Sequence, residues 1–369
     1  MNRDTVDHQR LLDILKNRIG ITDTALQWFS SYLSGRTETV QVPNGSSAEA
    51  PMRFGVPQGS VLGPILFTIY TIGLDDIMQK HDLNYHLYAD DTQLYVEFKP
   101  NAPGETLIAS YRMEQCVKDI HNWTSIHFLK INDDKSKAIV FRPRNQQPSA
   151  LNIRVGEEII TTSHSVRNLG VSMDERMLGE AQVNAAIKGA FFHIRQIGKI
   201  RRFLTSESAA SVIHAFVSSR LDYCNSLYYG LPTELIDRLK KVQNTAARIV
   251  SRSARFSRIT PTLQALHWLP VRQRVQYKIL LLTFKALHGL ASEYLSNLLE
   301  HYSCACSLRS NSRLLLKPST ARLKSYGERS FSYAAPKLWN TLPAEIQNCD
   351  DIDVFKRLLK TKLFKDAYC

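Results

Sequence analysis

Residues 88–95 read YADDTQLY, and the longer run YHLYADDTQLYVEF, residues 85–98, alternates apolar and polar side chains around an acidic pair. Aromatic and β-branched residues at a period of two favour β-strands. The pattern predicts a β-hairpin with Asp90 and Asp91 at its tip. Two adjacent carboxylates repel each other, so a cation or water has to neutralise them. Because Asp is common in turns for local hydrogen bonding, a purely structural interpretation stays open for an isolated pair.

The oxygen atoms of Asp90 and Asp91 are hard ligands of the kind that Mg²⁺ prefers. This ion usually takes one or two protein carboxylates together with water and substrate phosphates. Two such ions, about 3.5 to 4 Å apart, can activate an attacking hydroxyl and stabilise a leaving pyrophosphate. The acidic pair is therefore a candidate nucleotidyl-transfer site.

Charge is distributed unevenly along the 369 residues, whose formal net charge is +13. Residues 1–187 hold 18 Lys and Arg against 22 Asp and Glu, whereas residues 188–369 hold 29 against 12. The second half, with a net charge of +17, is the candidate for contact with a polyanion, most simply nucleic acid. A well-solvated surface with spare lysines is the alternative.

The spacing of the cysteines and the lack of long apolar segments indicate an intracellular compartment. The six cysteines have no framework spacing, which is typical of a reducing environment. The HYSCAC segment at residues 301–306 could be half of a zinc site, but no second pair at ligand spacing follows it. The first residues, MNRDTVDHQR, lack the apolar core of a signal peptide, and no window has 18 uninterrupted apolar residues. We expect an intracellular protein that is neither secreted nor embedded in a membrane.

The pattern of secondary structure changes near residue 180. Before it, a Gly- and Pro-containing loop precedes an apolar helix, a second helix covers residues 105–128, a turn and strand cover 129–141, and 165–174 forms an edge strand. After it, long helices dominate. The sequence predicts an α+β fold in which an antiparallel sheet with flanking helices precedes a mostly α-helical region.

Four motifs occur in a fixed order: GVPQGSVLGP (55–64), YADD (88–91), INDDKSK (131–137) and VRNLGV (166–171). They closely resemble successive palm motifs of reverse transcriptases, and they are most similar to those of non-LTR retrotransposons of the LINE class, the jockey and CR1-like elements. The helical half, with SSRLDYCNSLYYGLP and APKLWNTLPAEI, resembles the region that follows their polymerase domain. The resemblance covers essentially the whole chain. It implies a partial palm over residues 1–180, a thumb-like region over 181–300 and a C-terminal extension over 301–369.

The resemblance also implies roles for individual residues. Asp90 and Asp91 would be catalytic metal ligands for two Mg²⁺ ions, and Lys135 would assist the leaving pyrophosphate. The residues expected to contact the nucleotide or template are Tyr88, Gly55, Pro57, Gln58, Gly59 and Ser60. The hairpin expected to support the primer contains Arg167, Asn168, Leu169 and Gly170. A packed aromatic for Tyr88, a structural turn for the loop and a solvated side chain for Lys135 remain the alternatives.

Basic residues in the helical half would grip the nucleic acid. They are Lys199, Arg201, Arg202, Arg248, Arg252, Arg255 and Arg258. The last four are spaced by four, three and three residues, which would place them along one helical face if the helix extends that far. Leu263, Leu266, Trp268 and Trp339 are expected in the core rather than as stacking platforms.

One carboxylate of the family pattern is missing. The first palm motif's metal ligand would fall two positions before Met1, and Asp4 and Asp7 match only the tail of that motif. We expect an N-terminally truncated RNA-directed DNA polymerase, acting with RNA template, DNA primer and dNTPs in the nucleus or a cytoplasmic ribonucleoprotein, that is inactive as this isolated chain. A catalytically dead nucleic-acid-binding remnant is the alternative function.

Overall fold

The computed structural model describes residues 5–43, 45–57, 59–99, 102–143, 151–156, 158–302, 314–323 and 326–369. The chain divides into two compact units. The N-terminal unit is Met1–Val140 with Asn145–His164, and the C-terminal unit is Phe141–Arg144 with Ser165–Cys369. The protein is 55% helical with small antiparallel sheets, so the mixed α+β class is confirmed. The division at residues 180 and 300 stays a prediction.

Helices supply most of the buried surface of the N-terminal unit. They are α1 (His8–Asn17), α2 (Asp23–Leu33), α3 (Gly63–Tyr70), α4 (Gly73–Lys80) and α5 (Glu105–Ile126). One apolar cluster joins α1, α2 and α3 through side chains that include Leu11, Leu33 and Phe67. A second joins α4 to α5. A Cβ atom at Gly73 would lie 2.9 Å from Trp123 Nε1, so this close helix approach requires glycine.

The strands form two-stranded antiparallel ladders. In the N-terminal unit these pair β1 (Thr37–Glu38) with β4 (Ala50–Pro51), β2 (Gln41–Val42) with β3 (Gly45–Ser46), β5 (Asn84–Tyr88) with β6 (Asp91–Tyr95), and β7 (Asn152–Val155) with β8 (Glu158–Thr161). Within the described residues these ladders do not join into one continuous sheet. The strand predicted within residues 129–141 is wrong, because this segment makes only isolated backbone hydrogen bonds, such as Ser163 N–H to Ala138 O at 2.8 Å.

The second segment of the C-terminal unit begins with a hairpin and continues in helices. Residues 165–174, expected as one strand, form β9 (Ser165–Asn168) and β10 (Val171–Asp174) because Leu169 and Gly170, with φ of 45° and 81°, reverse the chain. The helices are α6 (Glu180–Ile200), α7 (Ser206–Ile213), α8 (Ser219–Asp222), α9 (Thr233–Ser251), α10 (Thr260–Ala265), α11 (Val271–Leu287), α12 (Glu293–Ser296), α13 (Phe331–Trp339), α14 (Ala344–Gln347) and α15 (Ile352–Tyr368).

Two apolar clusters hold these helices together. The larger one packs α6, α9 and α11 around residues such as Leu239 and Ile279. The smaller one places Phe284, Trp339 and Phe355 between α11, α13 and α15. Leu263, Trp268 and Trp339 are buried and Leu266 is half-buried, in agreement with their expected core positions. None of the helices in the described ranges has the length and apolarity that crossing a bilayer requires.

Candidate functional site

The acidic pair lies on the β5–β6 hairpin, which the sequence pattern predicted. Tyr88 pairs with Asp91, so Ala89 and Asp90 form the two-residue turn and Asp91 begins β6. Ala89 adopts a φ of 53°, the left-handed conformation that tight hairpin turns of this length use at their first central position. This conformation usually favours glycine. The turn therefore holds two consecutive carboxylates at the end of the ladder at the expense of local backbone strain.

The tip of this hairpin is open to solvent. Asp90 and Asp91 are exposed, and Tyr88 exposes 67% of its surface. Water can therefore stabilise both charges, and their proximity alone does not require a cation. Tyr88 is not a packed strand aromatic. Tyr85 and Leu94 are the hairpin side chains that pack against the α4–α5 cluster. The exposed tip leaves Tyr88, Asp90 and Asp91 accessible to a large ligand.

The donor set suits Mg²⁺ but is small. Asp90 and Asp91 offer the carboxylate oxygens that this ion prefers, and phosphates and water can complete its coordination. Across the described ranges, no group of three or more His, Cys, Asp or Glu side chains could hold a metal ion. Asp7 caps α1 by accepting a hydrogen bond from Arg10 N–H at 2.8 Å, and Asp4 lies outside the described residues.

The loop before α3 is largely satisfied by its own chain. Gly55 is buried, and its N–H donates to Val6 O at 2.7 Å while its carbonyl lies 2.8 Å from His8 Nε2. Ser60 Oγ donates to Pro57 O at 2.8 Å and accepts from the N–H of Gly63 at 3.0 Å. These contacts support the structural-turn alternative for Gly55, Pro57 and Ser60. Gly59 has a φ of 77° and open space around it, and Gln58 lies outside the described residues.

Lys135 lies on a short 3₁₀ turn, Asp133–Lys135, after α5. The backbone N–H of Lys135 donates a hydrogen bond to Asn132 Oδ1 at 3.3 Å, and the Lys135 side chain is exposed. The neighbouring Asp133 Oδ1 lies 3.2 Å from His121 Nε2. The exposed amine is available to a phosphate, and the solvated-lysine alternative also remains open.

The β9–β10 hairpin carries the residues expected to support a primer. The hydroxyl of Tyr223 donates to Leu169 O, and Gly170 lies against the same ring. Arg167 is exposed on β9. This hairpin belongs to the C-terminal unit, whereas the acidic hairpin belongs to the N-terminal unit.

Arg201 has a different role from the one the sequence indicated. It exposes only 8% of its surface, and its guanidinium donates to Ile249 O, Val250 O and Leu204 O at 2.6 to 2.7 Å. These groups include carbonyls at the end of α9 that lack helical partners. Arg201 is therefore a structural clamp with its donors turned inward, and the prediction that it contacts nucleic acid is corrected.

The predicted basic stripe is also not formed on one helix. The helix α9 ends at Ser251, and Arg252 follows in the left-handed conformation with a φ of 52°. Arg255 and Arg258 consequently lie in the connection to α10, where both are exposed. Lys199 and Arg202 are exposed as well, and Arg248 is half-buried. Sequence reasoning overlooked Phe203 and Phe256, although each directly follows an arginine.

Comparisons with known proteins agree with the four motifs. The family model described as reverse transcriptase (RNA-dependent DNA polymerase) matches residues 4–173. The chain is 25% identical over 260 residues to the "Probable RNA-directed DNA polymerase from transposon BS" of Drosophila melanogaster, covering 66% of this chain and 27% of the relative. It is 26% identical over 152 residues to the jockey polymerase of the same species, covering 40% and 16%.

A similar relationship extends to another insect element. The chain is 24% identical over 226 residues to a Pol polyprotein of the type-1 retrotransposable element R1 of Nasonia vitripennis, covering 58% of this chain and 65% of the relative. The chain spans about a quarter of the BS polymerase and less of the jockey polymerase.

Residues 4–173, the part of the chain that contains all four motifs, are thus similar to reverse transcriptases. The similarity to the BS, jockey, X-element and R1 proteins confirms the resemblance to reverse transcriptases of non-LTR retrotransposons.

Proposed function

We propose that this chain contributes the palm and the following thumb-like region of an RNA-directed DNA polymerase from a non-LTR retrotransposon. The enzyme would add nucleotides from dNTPs to the 3′-hydroxyl of a DNA primer paired with an RNA template. The observation that carries this proposal is the family match over residues 4–173, within which the acidic pair lies exposed on a hairpin turn. Its tip is accessible to a primer end and a triphosphate.

Asp90 and Asp91 are the side chains that would hold Mg²⁺. When bound, the metal would supply Lewis-acid stabilisation of the charge that develops on phosphate oxygens. Lys135 would add a positive charge near the leaving pyrophosphate, since its side chain is exposed. Tyr88 would contact the nucleotide or the primer end through its exposed ring.

We further propose that the isolated chain binds nucleic acid but does not extend a primer. The described residues offer two adjacent carboxylates and no third side chain grouped with them. Loss of one member of a catalytic set commonly removes most of the activity. The net charge of +17 in residues 188–369 favours binding to nucleic acid. Nucleic-acid binding without catalysis is therefore the second candidate function. Such a protein would act in the nucleus or in a cytoplasmic ribonucleoprotein.

Primer extension on an RNA template, with Mg²⁺ and dNTPs, tests the catalytic proposal. Two proteins are compared: this chain, and the same chain joined to an upstream segment that supplies the first palm aspartate. We expect extension only in the longer protein. Extension by this chain alone would show that another group completes the site.

The site assignment is tested in the longer protein by Asp90→Asn combined with Asp91→Asn. Extension should fall by at least about 100-fold while nucleic-acid binding stays within about twofold. The matched control is Asp75→Asn with Asp76→Asn, another adjacent pair in the N-terminal unit, which should keep its activity. Full extension by the Asp90/Asp91 variant would overturn the assignment.

A further inference from the structure

Two phenylalanine rings of the C-terminal unit protrude into solvent beside arginines. Phe203 exposes 74% of its surface and Phe256 exposes 91%. The Cζ atom of Arg202 lies 4.6 Å from the Phe203 ring centroid, and that of Arg255 lies 5.6 Å from the Phe256 centroid. A guanidinium over an aromatic face is attracted to it by the cation–π interaction. Each ring thus has one face toward a cation and a large remaining surface open to a ligand.

Hydrogen bonds join the chain segments that contain these two pairs. Arg201, next to the first pair, donates to Ile249 O and Val250 O at 2.7 Å, near the end of α9. Arg252, at the end of α9, approaches Arg201 O at 3.4 Å. The Arg202–Phe203 and Arg255–Phe256 pairs therefore lie on segments whose neighbouring residues are joined by hydrogen bonds, rather than on independent loops.

A concavity adjoins the second pair. It has a volume of about 500 Å³ and is lined by Thr245, Arg248, Ile249, Ser253 and Arg255. The Nε atom of Arg248 is buried and has no hydrogen-bond partner among the described residues. A buried donor of this kind favours an anionic or polar ligand that can accept a hydrogen bond from it.

The stretches of sequence that contain the two pairs carry charge of only one sign. Between Asp237 and Glu293 the sequence contains no Asp or Glu but 11 Lys and Arg. Between Glu180 and Glu207 it contains no acidic residue and five basic ones. A partner of negative charge that also presents flat apolar faces would match both the arginines and the rings.

We propose that the Arg202–Phe203 and Arg255–Phe256 pairs form a stacking surface for unpaired bases of a single-stranded nucleic acid, whose phosphates contact the neighbouring arginines. Base faces inside a duplex are already stacked, so exposed rings add affinity only where bases are unpaired. This inference rests on the proposed function for the class of partner, and it identifies a single-stranded part of that partner.

The test measures the affinity of the full chain for three fluorescein-labelled probes: a short single strand, the same strand with abasic sites, and a blunt duplex. Two unpaired bases stacked on the two rings should make the base-bearing strand bind on the order of 30-fold more tightly than the abasic one. Phe203→Leu with Phe256→Leu should remove this preference, whereas Phe203→Trp with Phe256→Trp should retain it. Phe192→Leu, at another exposed ring on α6, is the control.

Arginine variants separate charge from stacking. Arg202→Gln with Arg255→Gln should weaken base-bearing and abasic strands alike and reduce the salt dependence of binding. Arg357→Gln with Lys360→Gln removes two exposed charges from α15 and should leave the preference and the salt dependence near those of the unmodified chain. RNA and DNA probes of the same sequence distinguish a template strand from a DNA strand, and base-dependent binding of either supports the proposal.

Equal binding of base-bearing and abasic strands by the unmodified chain would overturn the inference. So would an unchanged preference in the Phe203→Leu and Phe256→Leu variant, whose fold is checked by circular dichroism. If duplex binding persists in such a case, the proposed function is unaffected. If the unmodified chain binds none of the three probes, the result would count against both proposals.

Discussion

The N-terminal and C-terminal units contain the same kinds of residue but bury them differently. Among the described residues, the apolar clusters of the N-terminal unit contain nine and five buried side chains, whereas those of the C-terminal unit contain 23 and 10. The N-terminal unit presents its acidic pair on a two-stranded ladder with a largely exposed surface. The C-terminal unit presents its arginines and phenylalanines at the ends of long, packed helices.

The difference follows from what each element can bury. A helix turns a broad apolar stripe toward its neighbours, so α6, α9 and α11 share one continuous core. An isolated two-stranded hairpin has only one face to bury and is marginally stable without further support. The candidate metal site therefore rests on a weakly supported scaffold, and the candidate nucleic-acid surface rests on a strongly supported one.

The largest expected effect compares one fully buried phenylalanine from each unit. Phe284→Ala removes a ring that stacks on Phe355 at 4.2 Å, and we expect it to lower the free energy of unfolding by about 3 to 5 kcal/mol. Phe67→Ala should also cost about 3 to 5 kcal/mol, because its cluster of nine buried side chains is close in size to the ten around Phe284. Urea denaturation monitored by hydrogen exchange reports the two units separately. A much smaller loss for Phe67→Ala would show that the core of the N-terminal unit is less well packed than its buried side chains indicate.

The next effect distinguishes two adjacent arginines. Arg201→Met removes the donors that satisfy Ile249 O and Val250 O, and we expect a loss of about 2 to 4 kcal/mol from the stability of the C-terminal unit. Arg202→Met, at an exposed position, should change stability by less than about 0.5 kcal/mol. Nucleic-acid affinity should show the opposite order. Thermal denaturation and a binding titration of both variants measure the two quantities, and similar stabilities would contradict the clamp.

A smaller effect compares the turns of the two hairpins. Ala89→Gly relieves the strain of a φ of 53° and should stabilise the β5–β6 turn by about 0.5 to 1 kcal/mol. Gly170→Ala introduces strain at a φ of 81° and should destabilise the β9–β10 turn by about 1 to 2 kcal/mol. Local hydrogen exchange at each hairpin measures both changes. The same sign for both substitutions would exclude backbone strain as their common cause.

The smallest expected effect is a dependence of stability on pH in both units. Burial lowers the pKa of the half-buried His127 in the N-terminal unit below the usual 6.5, and partial desolvation lowers the pKa of the more exposed His214 in the C-terminal unit. For His214, Arg274 and Lys360 lower the pKa further, whereas Asp222 raises it. Because the unfolded chain then binds more protons, stability is complete above pH 6.5 and falls as the pH decreases toward the folded-state pKa values.

Denaturation at a series of pH values measures this dependence. His127→Gln and His214→Gln should each flatten it in their own unit, as seen by hydrogen exchange. A stability that rises on acidification below pH 6.5 would show that the two imidazoles are not the groups responsible.

Local sequence patterns predicted several parts of the molecule correctly. The alternation around Asp90 and Asp91 predicted the β5–β6 hairpin, and apolar spacing predicted α5 and the helical C-terminal half. These features depend on interactions between residues close in the sequence, which a pattern of period two or 3.6 reports directly. The motifs in their order also indicated the family, which the comparisons confirmed.

Tertiary structure decided which residues are available to a ligand. The sequence placed Arg201 and Arg202 together, but the fold buries the first against carbonyls at the end of α9 and exposes the second. The spacing of Arg248 to Arg258 suggested one helical face, but Arg252 ends the helix. Contacts between segments about 50 residues apart bury Arg201, and a local pattern does not contain them. Chemical identity and periodicity are thus properties of the sequence, whereas exposure is a property of the packed chain.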